Sequence, residues 1–174
     1  MSQSLSDFAD LLRSADRSAV HLEMRDVYTV DNETERFAAW RRGHRLDPAD
    51  RTSWWRPWHD LVREVTTKGV VMRRARIVSE PVSEYIRYEH SGTFTNVAAG
   101  EDIRWLPRRS ASDLALPGND FWLFDNSVVQ FNVFDGDGRW VHTDQTEDPE
   151  VVALCAAAFE AVWERAVPHE KYAV

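Results

Sequence analysis

Three features of the amino-acid sequence predict an α/β fold, a mixed β-sheet flanked by helices in a single domain spanning residues 1–174. The segment SAVHLEMRD alternates apolar and polar residues, the period of a half-buried strand. Farther on, WWRPWHDLVREVTTKG carries apolar residues at helical spacing and runs through Gly69 into the β-rich VVMRRARIV. A helix, a glycine stop and a strand form the return half of a βαβ crossover, so this strand should pair in parallel with the first. Lastly, short strands in the second half of the chain are followed by a long apolar helix.

Taken in order, Ser6 is placed to cap a first helix carrying Phe8, Leu11 and Leu12. In the strand over 18–25, Val20, Leu22 and Met24 point one way, and His21, Glu23 and Arg25 the other. A helix is expected over 33–42 with Phe37 and Trp40 three apart, then a loop over 43–52 broken by Pro48. Trp54, Trp58, Leu61, Val62 and Val65 mark one face of a helix that Gly69 stops. On the VVMRRARIV strand, Val71, Arg73, Ala75 and Ile77 oppose Val70, Met72, Arg74, Arg76 and Val78. A helix over 83–90 gathers Tyr85, Tyr88 and Glu89, and IRWL at 103–106 reads as a short strand. Strands over 121–124 and 128–134 flank a tight Asp125-Asn126-Ser127 turn, the signal of a hairpin. After the DGDGR turn a third strand covers 140–143. Asp148 and Pro149 open the last helix, with Val151, Leu154, Cys155, Ala158, Phe159, Val162 and Ala166 as its buried face and Pro168 as its stop.

Composition bounds the function. With 174 residues, 43% of them hydrophobic, the chain can bury a core without staples. Its single cysteine, Cys155, lies in the apolar run VVALCAAAF and reads as an inert buried thiol, which leaves no disulfide framework and no cysteine cluster for zinc. No apolar run approaches the roughly 20 residues that span a bilayer. The acidic, amphipathic start MSQSLSDFADLLRSADR is unlike a signal peptide, so a cytoplasmic location is expected. The net charge of −8 is unevenly spread: residues 1–110 hold 18 basic and 17 acidic side chains, residues 111–174 hold 3 and 12. Within 36–76 the count is 11 against 4, with Trp40, Trp54, Trp55 and Trp58 among those charges. Basic and aromatic residues together grip a phosphate, a nucleic acid or an acidic partner; the same stretch could instead neutralise the acidic second half.

The six histidines lack metal-ligand spacing, and neither metal nor cofactor is expected. DGDGR lacks the downstream bidentate glutamate of a calcium loop and reads as a turn. His142 and Asp144 share a strand face, the pairing of a general base with its orienting group, yet no nucleophile stands beside them. The strongest ligand-binding candidates are charges on core strands: Glu23, Arg25, Arg74 and Arg76, with Ser79 and Glu80 at the carboxyl end of the second strand and Tyr85, Arg87 and Tyr88 as a wall. Either they form structural ion pairs or they line an anion-accepting pocket at the strand ends, where ligands of open α/β sheets bind. Trp55 falls off the helical stripe and is a candidate partner contact, as are Asn119 and Asp120 of GNDFW.

Two resemblances add to this reading. The runs VHLEMRDVY, WWRPWHDLV, RRARIVSEPVSEYIRYE, WLPRR, LALPGNDFWLFD and FEAVWERAVPHEKY resemble a family of uncharacterised actinomycete proteins, a domain of unknown function encoded near helix-turn-helix regulators. More distantly, residues from about 60 to 167 are similar to a phospholipase-D-like half unit closed by a C-terminal helix. Active units of that type carry His-x-Lys-x4-Asp, with histidine as nucleophile and lysine on the phosphoryl oxygens. Setting the motif's aspartate on Asp125 puts Asp120 at the lysine and Gly118 at the histidine. The resemblance therefore implies a unit without phosphodiesterase chemistry, more akin to the sensing or dimerising halves of regulators. A non-enzymatic regulatory or signalling accessory protein is expected, binding a protein partner (a helix-turn-helix regulator) or a small anionic ligand, with homodimerisation through the phospholipase-D-like half. The alternatives are a hydrolase or transferase with its site at the strand ends, and a nucleic-acid-binding protein, which the net acidity disfavours.

Overall fold

The computed structural model describes the backbone of residues 5–29 and 31–174 and the side chains of 7–29 and 33–174. The cap expected from Ser6 lies outside the described side chains. In chain order the elements are α1 (Leu5–Ser14), β1 (Ser18–Glu23), α2 (Asp31–Arg41), α3 (Arg51–Trp54), α4 (Pro57–Thr67), β2 (Val71–Val78), α5 (Glu84–Gly92), α6 (Phe94–Ala99), β3 (Asp102–Pro107), β4 (Asp120–Phe124), β5 (Val128–Phe134), β6 (Trp140–Thr146), α7 (Pro149–Arg165) and the short β7 (Val167–Pro168).

Among the described residues seven strands form one sheet in the order β6-β5-β4-β1-β2-β3-β7. β1, β2 and β3 run parallel, as the crossover rule requires, and β4, β5, β6 and β7 pair antiparallel with their neighbours. The β4–β5 hairpin turns through Asp125 and Asn126 at φ of 52° and 54°, the paired left-handed geometry whose twist matches that of the strands it joins.

The alternation read from the sequence sets the layers. Val20 and Leu22 of β1, Ala75 and Ile77 of β2, and Phe121 and Leu123 of β4 pack with Cys155, Phe159 and Val162 of α7 in an apolar core. Their neighbours Ala19, Met72, Trp122 and Phe124 face the opposite side, against Leu12 of α1 and Leu61, Val62 and Val65 of α4. A third cluster joins Tyr85 and Ile86 of α5 to Ile103 and Trp105 of β3 and to Tyr172. No helix among the described residues is long and apolar enough to cross a membrane.

Several local expectations are corrected. The helix expected to run on from Trp54 is two, because Pro57 lacks the N–H that continuity would need and holds Arg56 extended. FTNVAA forms α6, packed on α4 so closely that a Cβ on Gly100 would meet the Thr66 hydroxyl at 2.7 Å. On α7 the buried face is turned from the expected one: Val152 and Trp163 are buried while Leu154 is 45% exposed. Trp163 turns inward because its indole covers the Arg104 guanidinium, 4.2 Å from the ring centre. Arg25 lies past the end of β1, with its guanidinium over Phe134, and so does not share a strand face with Glu23.

Candidate functional site

The strand registers set the floor of the site. On the side away from α7, pairing aligns Gln145, Gln130, Trp122, His21, Arg74 and Ile103 in one row across six strands. Two residues along, Thr143, Asn132 and Asp120 occupy one part of the next row, and Glu23, Arg76 and Trp105 the other. A polar ridge thus crosses the middle of a sheet whose reverse side is apolar at its centre, with Arg73 and Arg104 beside Trp163 toward one edge.

Over this ridge lies a cleft of about 1650 Å3. Its walls come from Phe8 of α1, Arg36, Ala39 and Trp40 of α2, Arg56, Trp58 and His59 around the start of α4, Tyr88 and Glu89 of α5, and Thr95 and Asn96 of α6. Among its described lining residues arginines outnumber carboxylates seven to three, although the whole chain is acidic. Of the ion pairs among described residues, Arg73–Glu160 alone joins the basic 36–76 stretch to the acidic second half. The basic stretch is turned mainly to the cleft and not to the C-terminal acids.

The floor charges are tied to one another. Arg74 Nη1 donates to Glu23 Oε1 at 3.0 Å and Nε to Glu101 Oε1 at 2.6 Å, while Asn96 donates to the other Glu101 oxygen at 2.8 Å. Arg76 bridges Glu23 Oε2 at 2.8 Å and Glu89 Oε2 at 2.7 Å. Burial alone would raise the Glu23 carboxyl, but the charges of Arg76 and Arg74 outweigh it and hold it at about 2. His21 stacks on Trp122 with ring centres 4.2 Å apart, and neither of its ring nitrogens has a hydrogen-bond partner among the described residues. Burial, helped by the two arginines and opposed by Glu23, depresses His21 to about 3, so the imidazole is neutral at physiological pH. Asp120 accepts from the Tyr28 hydroxyl and, at 2.9 Å, from the Met24 N–H; burial lifts its carboxyl to about 6.

The sequence-predicted residues divide. Glu23, Arg74 and Arg76 meet as expected, and Tyr88 joins the cleft wall. Tyr85 is buried with its hydroxyl on Glu33 at 2.6 Å, and Arg87 is exposed on the outer side of α5. The strand ends are not open. Arg108 fills them, its guanidinium donating to Met24 O, Ile77 O, Ser79 Oγ and Asp26. Ser79 is spent on Asp26, and Glu80 accepts from Tyr172 at 3.0 Å and pairs with Arg109. Of the partner-contact candidates, Asn119 is exposed, but Asp120 is 3% exposed and belongs to the interior. Trp55 is half-buried between the guanidiniums of Arg51 and Arg63, at 3.7 and 4.5 Å from its ring centre. Sequence reasoning missed His21, Arg36 and Arg56 as cleft residues; the basic, aromatic 36–76 stretch was the signal that could have found the last two.

Residues 6–174 match a family model described as Domain of unknown function (DUF6879). The chain belongs to this family. No curated protein matches the DUF6879 chain. Among solved structures it is similar to NucT from Helicobacter pylori, with a TM-score of 0.53 at 9% identity over 94% of this chain and 89% of that one. It is also similar to Nuc from Salmonella typhimurium, a phospholipase D family member, at 0.51 and 9% over 92% and 86%. TrmBL2, an archaeal chromatin protein with a described mode of DNA binding, gives 0.50 at 15% over 92% of this chain. The chain spans about half of TrmBL2, 48% of its length. At these identities the likeness shows the fold, and the fold of this DUF6879 chain is phospholipase-D-like. The overlap of 92% or more reaches well beyond residues 60–167.

The three positions set against the phospholipase D motif lie far apart in role. Gly118 is exposed before β4, and Asp120 is the buried partner of Tyr28. At the other end of β4, the Asp125 carboxylate accepts the backbone N–H groups of Asp16, Arg17 and Ser18 at 2.8–2.9 Å. Asp125 thus fastens the α1–β1 connection to the hairpin.

Proposed function

We propose that this protein is a non-enzymatic binding module that takes a small anionic ligand in the cleft above the sheet. The observation that carries the reading is the lining itself: arginines in excess and aromatic side chains, gathered in one cleft of an acidic chain. Guanidiniums in a partly desolvated cleft attract anions strongly, and aromatic walls favour a ligand with a planar or apolar part. A hydrolase or transferase reading would need a nucleophile beside a free base. His21 Nδ1 is 3.6 Å from Glu23 Oε1, but that carboxylate is already held by both floor arginines.

The regulatory part of the proposal, with a helix-turn-helix partner and a role in actinomycetes, is supported by the sequence resemblance alone. Co-purification with the neighbouring regulator tests it, and a chain that retains no such partner counts against it. For the ligand itself, thermal-shift and calorimetric titrations against anionic and neutral small molecules are the direct test. Ala39→Trp, which sets an indole into the cleft, is expected to abolish binding. Binding that persists in Ala39→Trp would overturn the assignment of the cleft.

A further inference from the structure

Four of the seven arginines lining the cleft form two contrasting pairs. Arg74 and Arg76 on the floor each contact two carboxylates. Arg36 of α2 and Arg56 at the start of α4 have no ion pair among the described residues, and Arg56 feels the charge of Arg36 as well as the opposite charge of Glu33. Glu33, which also lines the cleft, accepts the Tyr85 hydroxyl at 2.6 Å. Two guanidiniums that line one cleft with no ion pair among the described residues repel each other, and more so away from bulk water. The Nε–H of Arg36 and the Nε1–H of Trp40 are also buried without an acceptor among the described residues. Both groups can only donate, so both call for oxygen atoms in the cleft.

We infer that Arg36, Arg56 and Trp40 form a subsite for a doubly charged phosphate monoester, the head group of the ligand in the cleft. The inference rests on the binding reading above and adds the ligand's class to it. Two guanidiniums balance two negative charges, where a monoanionic diester leaves one uncompensated. Three donors from separate side chains suit the three terminal oxygens of a tetrahedral phosphoryl group better than a planar carboxylate.

The test is calorimetric titration of the full chain with phenyl phosphate, with diphenyl phosphate as monoanionic diester, and with succinate as non-phosphate dianion. Phenyl phosphate is expected to bind at least roughly tenfold more tightly than either of the others, a difference of about 1.4 kcal/mol. Arg36→Gln and Arg56→Gln should each weaken it by about tenfold or more and flatten its salt dependence. Arg51→Gln, on the Trp55 stack outside the cleft, should bind as the unmodified chain does, and circular dichroism confirms that each variant is folded. Equal affinity for the diester or succinate, no binding of phenyl phosphate, or unchanged binding in Arg36→Gln and Arg56→Gln overturns the subsite. If those two variants bind normally while Ala39→Trp does not, the subsite falls and the cleft stands. If Ala39→Trp also binds normally, the cleft reading falls with it.

Discussion

The face of the sheet beneath α7 and the face beneath the helical layer are built from the same strands, residue by residue in alternation. At its centre the first carries Val20, Leu22, Ala75, Ile77, Phe121 and Leu123, closed over by a single helix. On the second, the same strands present His21, Glu23, Arg74, Arg76 and Asp120, all buried or nearly so. Hydrophobic burial needs no partner geometry, whereas each buried charge must find a counter-charge or cost several kcal/mol. At the centre of the sheet the α7 face therefore contributes stability by apolar burial alone, as the cluster under α1 and α4 does at one end of the other face. The charged face is an arrangement that stability alone would not select, since apolar replacements of buried ion pairs are often as stable or more so.

The largest expected effect lies on the apolar face. Phe159 is 1% exposed in the centre of the α7 cluster, and Phe159→Ala should cost about 3–5 kcal/mol in urea denaturation. A loss below about 1 kcal/mol would show that α7 is not the main support of the sheet. On the charged face, Glu23→Gln leaves Arg74 and Arg76 each short of one counter-charge, and a loss of about 3 kcal/mol is expected. Should it fall within the ±0.5 kcal/mol typical of surface changes, the network is solvated and the contrast between the faces disappears.

Asp125 belongs to neither face, and so it separates face effects from effects of chain connection. Removing its three backbone hydrogen bonds in Asp125→Ala should cost about 2 kcal/mol. Cleft binding should survive, because the residue sits at the far end of β4 from Asp120. Loss of ligand binding in a folded Asp125→Ala would mean that the hairpin and the cleft are coupled.

How much of this was legible in the sequence follows from the range over which each feature is decided. Alternation in SAVHLEMRD put His21 and Glu23 on one face of their strand, and alternation in VVMRRARIV put Arg74 and Arg76 on one face of theirs, because side-chain direction in a strand is a local property. The register of β1 on β2 brings the two faces to one side. Parallel pairing of β1 and β2 followed from connection rules. α6 escaped because a six-residue FTNVAA shows less than two turns of periodicity. The site was expected at the strand ends by analogy with open sheets. The candidate cleft lies over the face instead, and Arg108 of WLPRR folds back onto the strand ends. Arg36 and Arg56 were two among 11 basic residues in their stretch, and nothing local tells a paired arginine from an unpaired one.

The effect that is smallest at neutral pH is also the most specific to the charged face. His21 binds its proton at about 3 in the folded protein against an ordinary 6.5, with burial as the main cause. The folded state therefore holds fewer protons than the unfolded state between those values. Stability from this group is complete above pH 6.5 and falls on acidification, at about 1.4 kcal/mol per pH unit once the unfolded imidazole is charged. His59, His90 and His169 shift in the same direction. Asp120 runs opposite: raised from 3.8 to about 6, it favours the folded state as pH falls through that window. His21→Phe keeps a ring against Trp122 and removes two unpartnered nitrogens, so it should be neutral or stabilising at pH 7 and should flatten the acid side of the stability curve. Asp120→Asn should steepen it between pH 6 and 4, because the opposing proton uptake is lost. Urea midpoints measured at half-unit steps from pH 7.5 to 4 separate the two. If His21→Phe leaves the slope unchanged, the imidazole is hydrated in the cleft, and the floor of the charged face is open to water and not held dry by its own ion pairs.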